Sequence, residues 1–298
     1  MSSRILSSFD AGPAASLHPT ILDNPHGVSL YQTVRSHGWV DLRPWVWDGE
    51  AQRLSRTERL ASGQIVSIDV AQESAPDLSI SVEGDGVGTA EVAHVPPVVR
   101  RWLSLDWDPQ PAVDVASDVD AKLATFLRNG GGRLLRGSTF YEDFVKTVCT
   151  IQINWAGTKR IVGTLIDEIG GGFVPSPAQV IGAGEDGLRE KARLGFRARG
   201  LVESTERLLE RGLIDEQGNG ESDRLIYEEL IALRGIGPYA ASHLRLLLHD
   251  FSRIPIDSEV TKYCRDRLGL ASDEIQPFFE RWGQYRFLGY RFGTERAA

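Results

Sequence analysis

The chain has 298 residues, 41% of them hydrophobic and 25% charged, and its formal net charge is −8 at pH 7. This length allows one large domain or two ordinary ones, and the composition is typical of globular proteins. No apolar run reaches the roughly 18 residues that a membrane helix needs, and Asp10 and Pro13 interrupt an N-terminal stretch that makes a poor secretory signal.

Residues 1–110 are predicted to form an α+β domain with an antiparallel sheet. Residues 64–70 and 78–82 alternate apolar and polar side chains, which is the period of a half-buried strand. Glycines and acidic residues at 83–86 predict a turn, and a third strand is expected near 87–95.

Three tryptophans, Trp39, Trp45 and Trp47, flank Pro44 upstream of these strands. Tryptophans can stack on nucleic-acid bases, but they more often fill a core or cover the edge of a strand. We therefore expect core packing for this cluster, with base stacking as the alternative.

A linker is predicted over residues 111–122, in an acidic stretch that contains Pro111 and follows Pro109. From residue 123 to residue 298 the apolar side chains recur at helical spacing, which predicts a helical domain. The expected fold class is therefore mostly α, with the N-terminal α+β domain preceding the helices.

Two residue pairs predict where helices of this domain begin. Thr139 is followed three residues later by Glu142, which is the pattern of a capping box. Ser176 is followed by Pro177, and proline is favoured in the first turn of a helix. We expect helices to start at both places.

A glycine turn between two short helices is predicted within residues 224–249, where the sequence LRGIGPYAA contains Gly235 and Gly237. Such a turn leaves main-chain N–H groups free at the start of the second helix, where they bind phosphate without a basic side chain. Asp257 follows on a short, mostly apolar loop. A phosphate site beside one carboxylate indicates chemistry on a nucleic-acid backbone or on its sugar.

Three stretches, in this order, resemble the helix-hairpin-helix/Gly-Pro-Asp superfamily of DNA glycosylases. They are the polar loop IQINW at 151–155, the run LGFRAR at 194–199, and the hairpin with Pro-Ile-Asp at 233–257. The resemblance covers roughly residues 123–292 and is closest to the alkyladenine and 8-oxoguanine glycosylase branches. It implies a fold of two helical subdomains, preceded by an antiparallel β domain.

The resemblance also implies an activity. The chain is expected to be a monofunctional DNA glycosylase of base excision repair, which hydrolyses the N-glycosidic bond of a damaged purine flipped out of the duplex. Its partner would be double-stranded DNA containing a damaged base, with no role for a membrane. We expect a monomer in the cytoplasm, associated with the nucleoid if the source is bacterial.

Asp257 is the residue that the resemblance assigns to catalysis. Cleavage of an N-glycosidic bond gives the sugar oxocarbenium character, which a nearby carboxylate stabilises while it orients a water molecule. An aspartate before Ser258 can also simply cap a helix, which is a common use of this residue. The two roles are compatible, because a capping carboxylate is also an oriented one.

Tyr239 occupies the position at which bifunctional members carry a lysine. That lysine attacks the sugar as an amine, and the resulting Schiff base permits strand cleavage. A phenol cannot form a Schiff base, so water is the expected nucleophile. Lys262 is the only nearby amine, and we expect it to lie on the surface or to face a phosphate.

Gly235, Gly237, Pro238 and Tyr239 are the expected contacts with the DNA backbone. In the superfamily, main-chain carbonyls of the hairpin also hold a monovalent cation, K⁺ or Na⁺. By position these carbonyls would belong to three apolar residues, Ile231, Leu233 and Ile236. A tight turn without a ligand is the alternative.

No other cofactor is expected. Some members of the superfamily hold an iron–sulfur cluster through four cysteines. This chain has two cysteines, Cys149 and Cys264, each in a helical pattern, so we expect buried free thiols instead of a cluster or a disulfide.

The base pocket is predicted from residues with stacking or hydrogen-bonding side chains. A flipped base needs an apolar or aromatic stack and a few polar groups. The two amides can instead form the wedge that fills the gap left by the base. Arg234, where proline is usual, and Trp155, in a polar loop, depart from the family pattern. The candidates for the pocket or wedge are Gln152, Asn154, Trp155, Phe196 and Tyr239.

The net charge favours a second interpretation, because DNA-binding proteins usually have a basic surface. Residues 1–120 hold 17 acidic and 8 basic residues, whereas residues 121–213 hold 10 acidic and 14 basic ones. The acid excess therefore lies outside the motif region. A noncatalytic protein that binds DNA lesions or structures remains the alternative to the glycosylase.

Overall fold

The computed structural model describes residues 20–22, 24, 26–60, 62–73 and 77–294. In this part of the chain a five-stranded antiparallel sheet has the order β1-β5-β4-β3-β2. Its strands are β1 (Thr20–Leu22), β2 (Val46–Asp48), β3 (Arg53–Arg59), β4 (Ile65–Ala71) and β5 (Leu78–Glu83). None of the helices described in the structure is long and apolar enough to cross a membrane.

The alternation in sequence produces the two central strands as predicted. In β4 the side chains of Val66, Ile68 and Val70 are buried, and their neighbours along the strand are partly or fully exposed. β5 pairs with β4 so that Val70 lies opposite Ile80. One face of the sheet therefore packs on the core and the other faces solvent.

The third strand predicted near 87–95 is wrong. That segment forms α2 (Thr89–Val92) and the start of α3 (Val95–Trp102). Two prolines, Pro96 and Pro97, lie in the first turn of α3, where their missing N–H groups cost nothing, whereas in a strand they would remove ladder hydrogen bonds. The third long strand is β3, in which charged residues obscure the alternation of buried and exposed side chains.

The other secondary-structure elements of the described chain are helices. Short 3₁₀ segments occur at Gly38–Asp41 and Glu280–Tyr285, and a π-helical turn at Cys264–Leu268. The α-helices besides α2 and α3 are α1 (Leu30–Val34), α4 (Gln110–Val119), α5 (Ala121–Arg128), α6 (Phe140–Thr150), α7 (Trp155–Glu168), α8 (Pro177–Glu190), α9 (Arg197–Glu210), α10 (Tyr227–Ile231), α11 (Pro238–Leu246), α12 (Ser258–Tyr263), α13 (Ile275–Phe278) and α14 (Arg286–Phe292).

Residues 111–122, predicted to be a linker, are helical. They form most of α4 and the beginning of α5, and the side chains of Ala112, Val113 and Ala116 are buried. Pro109 and Pro111 start helix α4, because proline is tolerated before and within a first turn. The predicted domain boundaries at residues 110 and 123 stay a prediction. The buried apolar residues on both sides of these positions belong to one continuous core, so the core itself marks no boundary there.

Both predicted helix starts are confirmed, with one difference. Ser176 and Gln179 form a complete capping box at α8. Thr139 caps α6 by accepting a hydrogen bond from the Glu142 N–H at 3.1 Å, but the Glu142 carboxylate does not return to Thr139. That carboxylate is used inside the protein instead.

Helix α6 carries a buried ionic cluster that joins the sheet to the helices. Arg56 of β3 donates to both carboxylate oxygens of Glu142, at 3.0 and 3.1 Å, and Lys146 donates to the same group at 2.6 Å. At the next residue of α6, Arg101 of α3 donates to Asp143 at 2.7 Å. Because such pairs are expensive to break once buried, the cluster fixes the position of the sheet against α6.

The predictions for cysteine and tryptophan are also confirmed. Cys149 and Cys264 are both buried and do not form a disulfide, and burial raises the pKa of the Cys149 thiol to about 12. Trp39 and Trp45 are buried, whereas Trp47 is half-buried. Core packing is therefore the main role of this cluster, although Trp39 also reaches the candidate site.

Candidate functional site

The hairpin consists of α10, a glycine turn and α11. Gly235 has a φ of +80°, which explains why glycine is needed there, whereas Gly237 caps α11 with an ordinary φ of −94°. A Cβ at Gly237 would meet no atom within 4 Å. Nothing in the described protein therefore requires glycine at 237, and the open space beside it allows an external group to approach the start of α11.

Helix α9 supports the hairpin from behind. The Ser204 hydroxyl donates to the Arg234 carbonyl at 3.1 Å. A Cβ at Gly200 would lie 3.0 Å from the same oxygen, so glycine allows the two segments to approach closely. The Arg234 guanidinium lies 3.3 Å from Glu203, which keeps this side chain beside α9.

Asp257 caps α12, as the alternative interpretation predicts. Its Oδ1 accepts a hydrogen bond from the Val260 N–H at 2.8 Å. Oδ2 accepts none from the described residues, and Asp257 is exposed along the wall of a cavity. The cap thus orients the carboxylate and leaves one oxygen free, so capping and catalysis are compatible in this geometry.

The cavity beside Asp257 has a volume of about 1210 Å³, which is ample for a nucleotide-sized group. It is lined by the 3₁₀ segment after α1, by the 151–155 loop, by α11 and α12, and by α14. Among the predicted site residues that line it are Gln152, Asn154, Trp155, Tyr239 and Asp257.

Tyr239 is half-buried near the start of α11. Burial raises the pKa of its phenol, a hydrogen bond with Thr150 opposes that rise, and the negative charge of Asp257 adds to it. The hydroxyl is therefore neutral at physiological pH. Tyr239 presents a polar O–H group close to the carboxylate but no nucleophile.

The 151–155 loop is held by Arg197 of the predicted GFRA run. The guanidinium donates to the Ile151 carbonyl from Nε at 2.8 Å and to the Gln152 carbonyl at 3.2 Å. Gln152 is exposed and has a φ of +50°, an uncommon value for a residue other than glycine. The loop thus presents the Gln152 side chain at its surface, on a main chain that Arg197 fixes.

Asn154 and Trp155 have structural contacts of their own. The Asn154 Oδ1 accepts from the Gly157 N–H at 2.8 Å and so caps α7. The Trp155 Nε1 donates to Asp41 at 3.1 Å, and a Cβ at Gly38 would lie 2.6 Å from its ring. Trp155 therefore packs against the 3₁₀ segment, which explains an aromatic residue in an otherwise polar loop.

Phe196 does not line the cavity, and its assignment to the pocket or wedge stays a prediction. Its side chain is 58% exposed and lies against the Arg197 guanidinium, 4.5 Å from the ring centroid. Helix α9 begins at Arg197, whose side chain turns toward the 151–155 loop, while Phe196 remains outside.

One end of the cavity is formed by His37, Trp39 and His243. The two histidines were not among the predicted site residues, whereas base stacking was the alternative role for Trp39. The Trp39 ring centroid lies 4.9 Å from that of His243, and the two imidazole centroids are 6.0 Å apart. His243 could have been found, because it follows Tyr239 by four residues and so shares its helix face. His37 gave no such signal, since it comes from the other half of the chain.

The hairpin cation stays a prediction. Of the three proposed carbonyls, that of Leu233 already accepts a hydrogen bond from the Ile236 N–H at 3.2 Å, which leaves its second lone pair for a cation. Within the described ranges, no group of three or more His, Cys, Asp or Glu side chains is arranged to hold a metal ion.

No protein-family model matches the chain, and no curated protein matches its sequence. Solved structures do match. The fold is similar to Clostridium acetobutylicum 8-oxoguanine glycosylase/lyase in its apo form, with a TM-score of 0.64 and 16% identity over 94% of this chain and 97% of that one.

Two DNA complexes are similar as well. The same Clostridium acetobutylicum enzyme with double-stranded DNA containing cytosine opposite 8-oxoguanine gives a TM-score of 0.60 and 17% identity, over 96% of this chain and 99% of that one. MBOgg1 in complex with a low-affinity DNA ligand gives a TM-score of 0.63 and 17% identity, over 95% of this chain and 98% of that one. With the hairpin, the capping aspartate and the N-terminal sheet in place, the chain has the fold of these solved structures, which agrees with the fold that the resemblance in sequence implies.

Proposed function

We propose that this protein is a monofunctional DNA glycosylase that hydrolyses the N-glycosidic bond of a damaged purine flipped out of duplex DNA. The observation that carries the proposal is the Asp257 carboxylate, which has one oxygen held by Val260 and the other free at the wall of a large cavity. The similarity in fold to a glycosylase/lyase supports the same class of substrate.

The DNA would be held mainly through main-chain groups. The N–H groups at the start of α11 face the open space beside Gly237, and the helix dipole adds to their attraction for phosphate. Gln152 at the loop surface is placed to fill the gap that a flipped base leaves in the duplex. Helix α11 of the hairpin and the loop both contribute residues to the cavity wall.

Asp257 would act on the sugar. As the bond between C1′ and the base nitrogen breaks, its electrons leave with the base and positive charge develops on the sugar. The free carboxylate oxygen stabilises this charge and accepts a proton from the water that adds to C1′. Val260 contributes by holding the other oxygen in place.

The nucleophile would be water, because the described residues that line the cavity include no lysine. The Tyr239 phenol occupies the place of an amine and stays protonated, since burial raises its pKa. The product would be an intact strand with an abasic site. We further propose that the protein acts as a cytoplasmic monomer.

Base release by wild type and by Asp257→Asn tests the function. Loss of a carboxylate that stabilises charge in the transition state is expected to lower single-turnover release by on the order of 100-fold. Asp167→Asn, on the exposed surface of α7, serves as the matched control. Near-wild-type release by Asp257→Asn would place the catalytic group elsewhere.

Borohydride trapping tests the monofunctional assignment. Wild type should give no covalent complex with DNA, whereas Tyr239→Lys restores an amine beside Asp257 and should give one. A trapped complex with the wild-type protein would reveal another amine, with Lys262 as the first residue to replace.

A noncatalytic lesion-binding protein is the second candidate, and the net charge of −8 favours it. It predicts specific binding to lesion DNA with no release of base by wild type. Measurement of both quantities on the same duplexes therefore separates the two functions.

A further inference from the structure

The end of the cavity formed by His37, Trp39 and His243, hereafter the histidine floor, contains polar atoms that the fold does not use. The Nε2 atom of each imidazole is buried and has no hydrogen-bond partner among the described residues. Leaving a buried polar atom unpaired costs about 1–3 kcal/mol. A ligand that supplied partners to these atoms would recover that cost.

The tautomer of His37 is set by its neighbour. The Trp39 main-chain N–H donates to His37 Nδ1 at 3.1 Å, so Nδ1 carries no proton and Nε2 carries it. Trp39 is itself held by its indole N–H, which donates to Asp143 at 2.9 Å. The floor therefore presents a fixed N–H donor at His37 Nε2.

The floor is uncharged at neutral pH, and its surroundings disfavour added positive charge. Burial lowers the pKa of His37 well below its usual value, and His243 and Arg291 lower it further, against a smaller opposing effect of the His37 main chain. Burial lowers the pKa of His243 to about 4. Arg291 donates to the Ser36 carbonyl at 2.9 Å, directly before His37 in the chain.

We propose that His37 and His243 determine which base this site accepts, by hydrogen bonding to the carbonyl edge of a neutral oxidised or deaminated base. A cationic alkylated purine is rejected, because its positive charge would face the positive end of the N–H group at His37 and the positive charge of Arg291. Each Nε2 is covered in the present conformation, so binding of the base includes a shift of side chains. This inference rests on the proposed flipping of a damaged base into the cavity.

Two isosteric variants isolate the donor. In both His37→Asn and His37→Asp, a side-chain oxygen can accept from the Trp39 N–H, since both residues are good helix caps. The asparagine keeps an N–H donor toward the cavity, whereas the aspartate offers only acceptors and a negative charge. A difference in lesion binding between His37→Asn and His37→Asp therefore reports the change from a donor to an acceptor at the floor and not the loss of the cap.

Binding is measured first, with duplexes of one sequence that carry a 2′-fluorinated lesion nucleotide to block release of the base. The lesions are 8-oxoguanine and hypoxanthine, which are neutral, and 7-methylguanine, which is cationic. Wild type is expected to prefer the neutral lesions over 7-methylguanine by at least ~10-fold, relative to undamaged duplex. His37→Asn should keep this preference, and His37→Asp should lose it.

His249→Asn is the matched control. His249 is another buried imidazole whose Nε2 has no hydrogen-bond partner, although it lies 3.8 Å from Asp106. It packs against Trp107 and Phe251 and does not line the cavity. It has a φ of +66°, which asparagine tolerates. This variant should bind all lesions as wild type does.

Equal affinity of wild type for neutral and cationic lesions, or the same preference in both His37 variants, would overturn the inference. Release of base is then measured on unfluorinated duplexes, with each rate divided by the spontaneous rate. No release together with selective binding would contradict the proposed glycosylase and would still support base reading by the floor. Release of every damaged base without a preference would support the proposed glycosylase and would contradict base reading by the floor.

Discussion

The glycine turn of the hairpin and the histidine floor offer different groups, although α11 joins them by contributing His243 to the floor. The turn offers main-chain N–H groups beside Gly237, where a Cβ would meet no atom within 4 Å, and the proposed phosphate contact needs no side chain from the turn. The floor offers buried side chains whose protonation and orientation depend on neighbours from three segments of the chain. In the proposed function, binding of the DNA backbone is therefore local in origin, whereas recognition of the base depends on packing.

The difference extends to how each region is supported. The hairpin rests on α9 through close main-chain contacts at Arg234. The floor rests on Asp143, which belongs to the buried ionic cluster on α6. Damage to the cluster should therefore affect the floor and overall stability, whereas a side chain added at Gly237 should affect DNA binding alone.

The largest effect is expected from Glu142→Gln, which leaves Arg56 and Lys146 buried with a weakened partner. Loss of one member of a buried ionic cluster costs about 3–5 kcal/mol of the free energy of unfolding. Urea-induced unfolding measures this cost. In the matched control Asp167→Asn, loss of the exposed pair with Arg43, 2.8 Å apart, should cost at most about 1 kcal/mol. Similar losses of unfolding free energy in the two variants would contradict the expected difference between the buried cluster and the exposed pair.

An intermediate effect is expected from acid. Burial lowers the pKa of His243 to about 4 and that of His249 to about 3, whereas unfolded histidine binds a proton below a pH of about 6.5. Below that pH the unfolded state holds more protons, so stability falls as the pH falls. Each histidine should contribute a loss of about 2 kcal/mol between pH 7.5 and pH 5.

Urea unfolding at these two pH values, for wild type and His249→Asn, checks this expectation. The variant lacks one of the groups that must stay neutral, so its free energy of unfolding should fall by about 2 kcal/mol less than that of wild type. Equal losses in the two proteins would show that His249 is not held neutral by the fold.

The smallest effect on stability, and a selective one on binding, is expected from Gly237→Val. The new side chain enters open space at an ordinary φ, so far-UV circular dichroism should stay native. It would obstruct the approach of a phosphate, and duplex affinity should fall by on the order of 10-fold. The counterion-release slope should be shallow, about 2–4, because few basic side chains lie in the hairpin.

Unchanged affinity of Gly237→Val, together with a steep dependence on salt, would place DNA binding on a basic surface elsewhere. A matched substitution, Gly235→Val, separates the two costs, because Gly235 has a φ of +80° and should lose stability as well as binding.

Short-range patterns determined the parts of this protein that depend on neighbouring residues in the chain. The glycine turn, the Asp257 cap and the caps at Thr139 and Ser176 each need only a few consecutive residues, so the sequence predicted them. Alternation likewise predicted β4 and β5. It missed β3, because Arg56 faces inward there, and its charge is neutralised by Glu142 of α6 together with Glu58 of the same strand.

Tertiary structure alone decided which side chains share the cavity. His37 and His243 are separated by more than two thirds of the chain, and no periodicity links them, yet their rings lie 6.0 Å apart. Phe196 and Arg197 are adjacent in sequence, but only Arg197 turns inward to the 151–155 loop. Contacts of this kind follow from how helices pack, which depends on the whole core and not on any local pattern of residues.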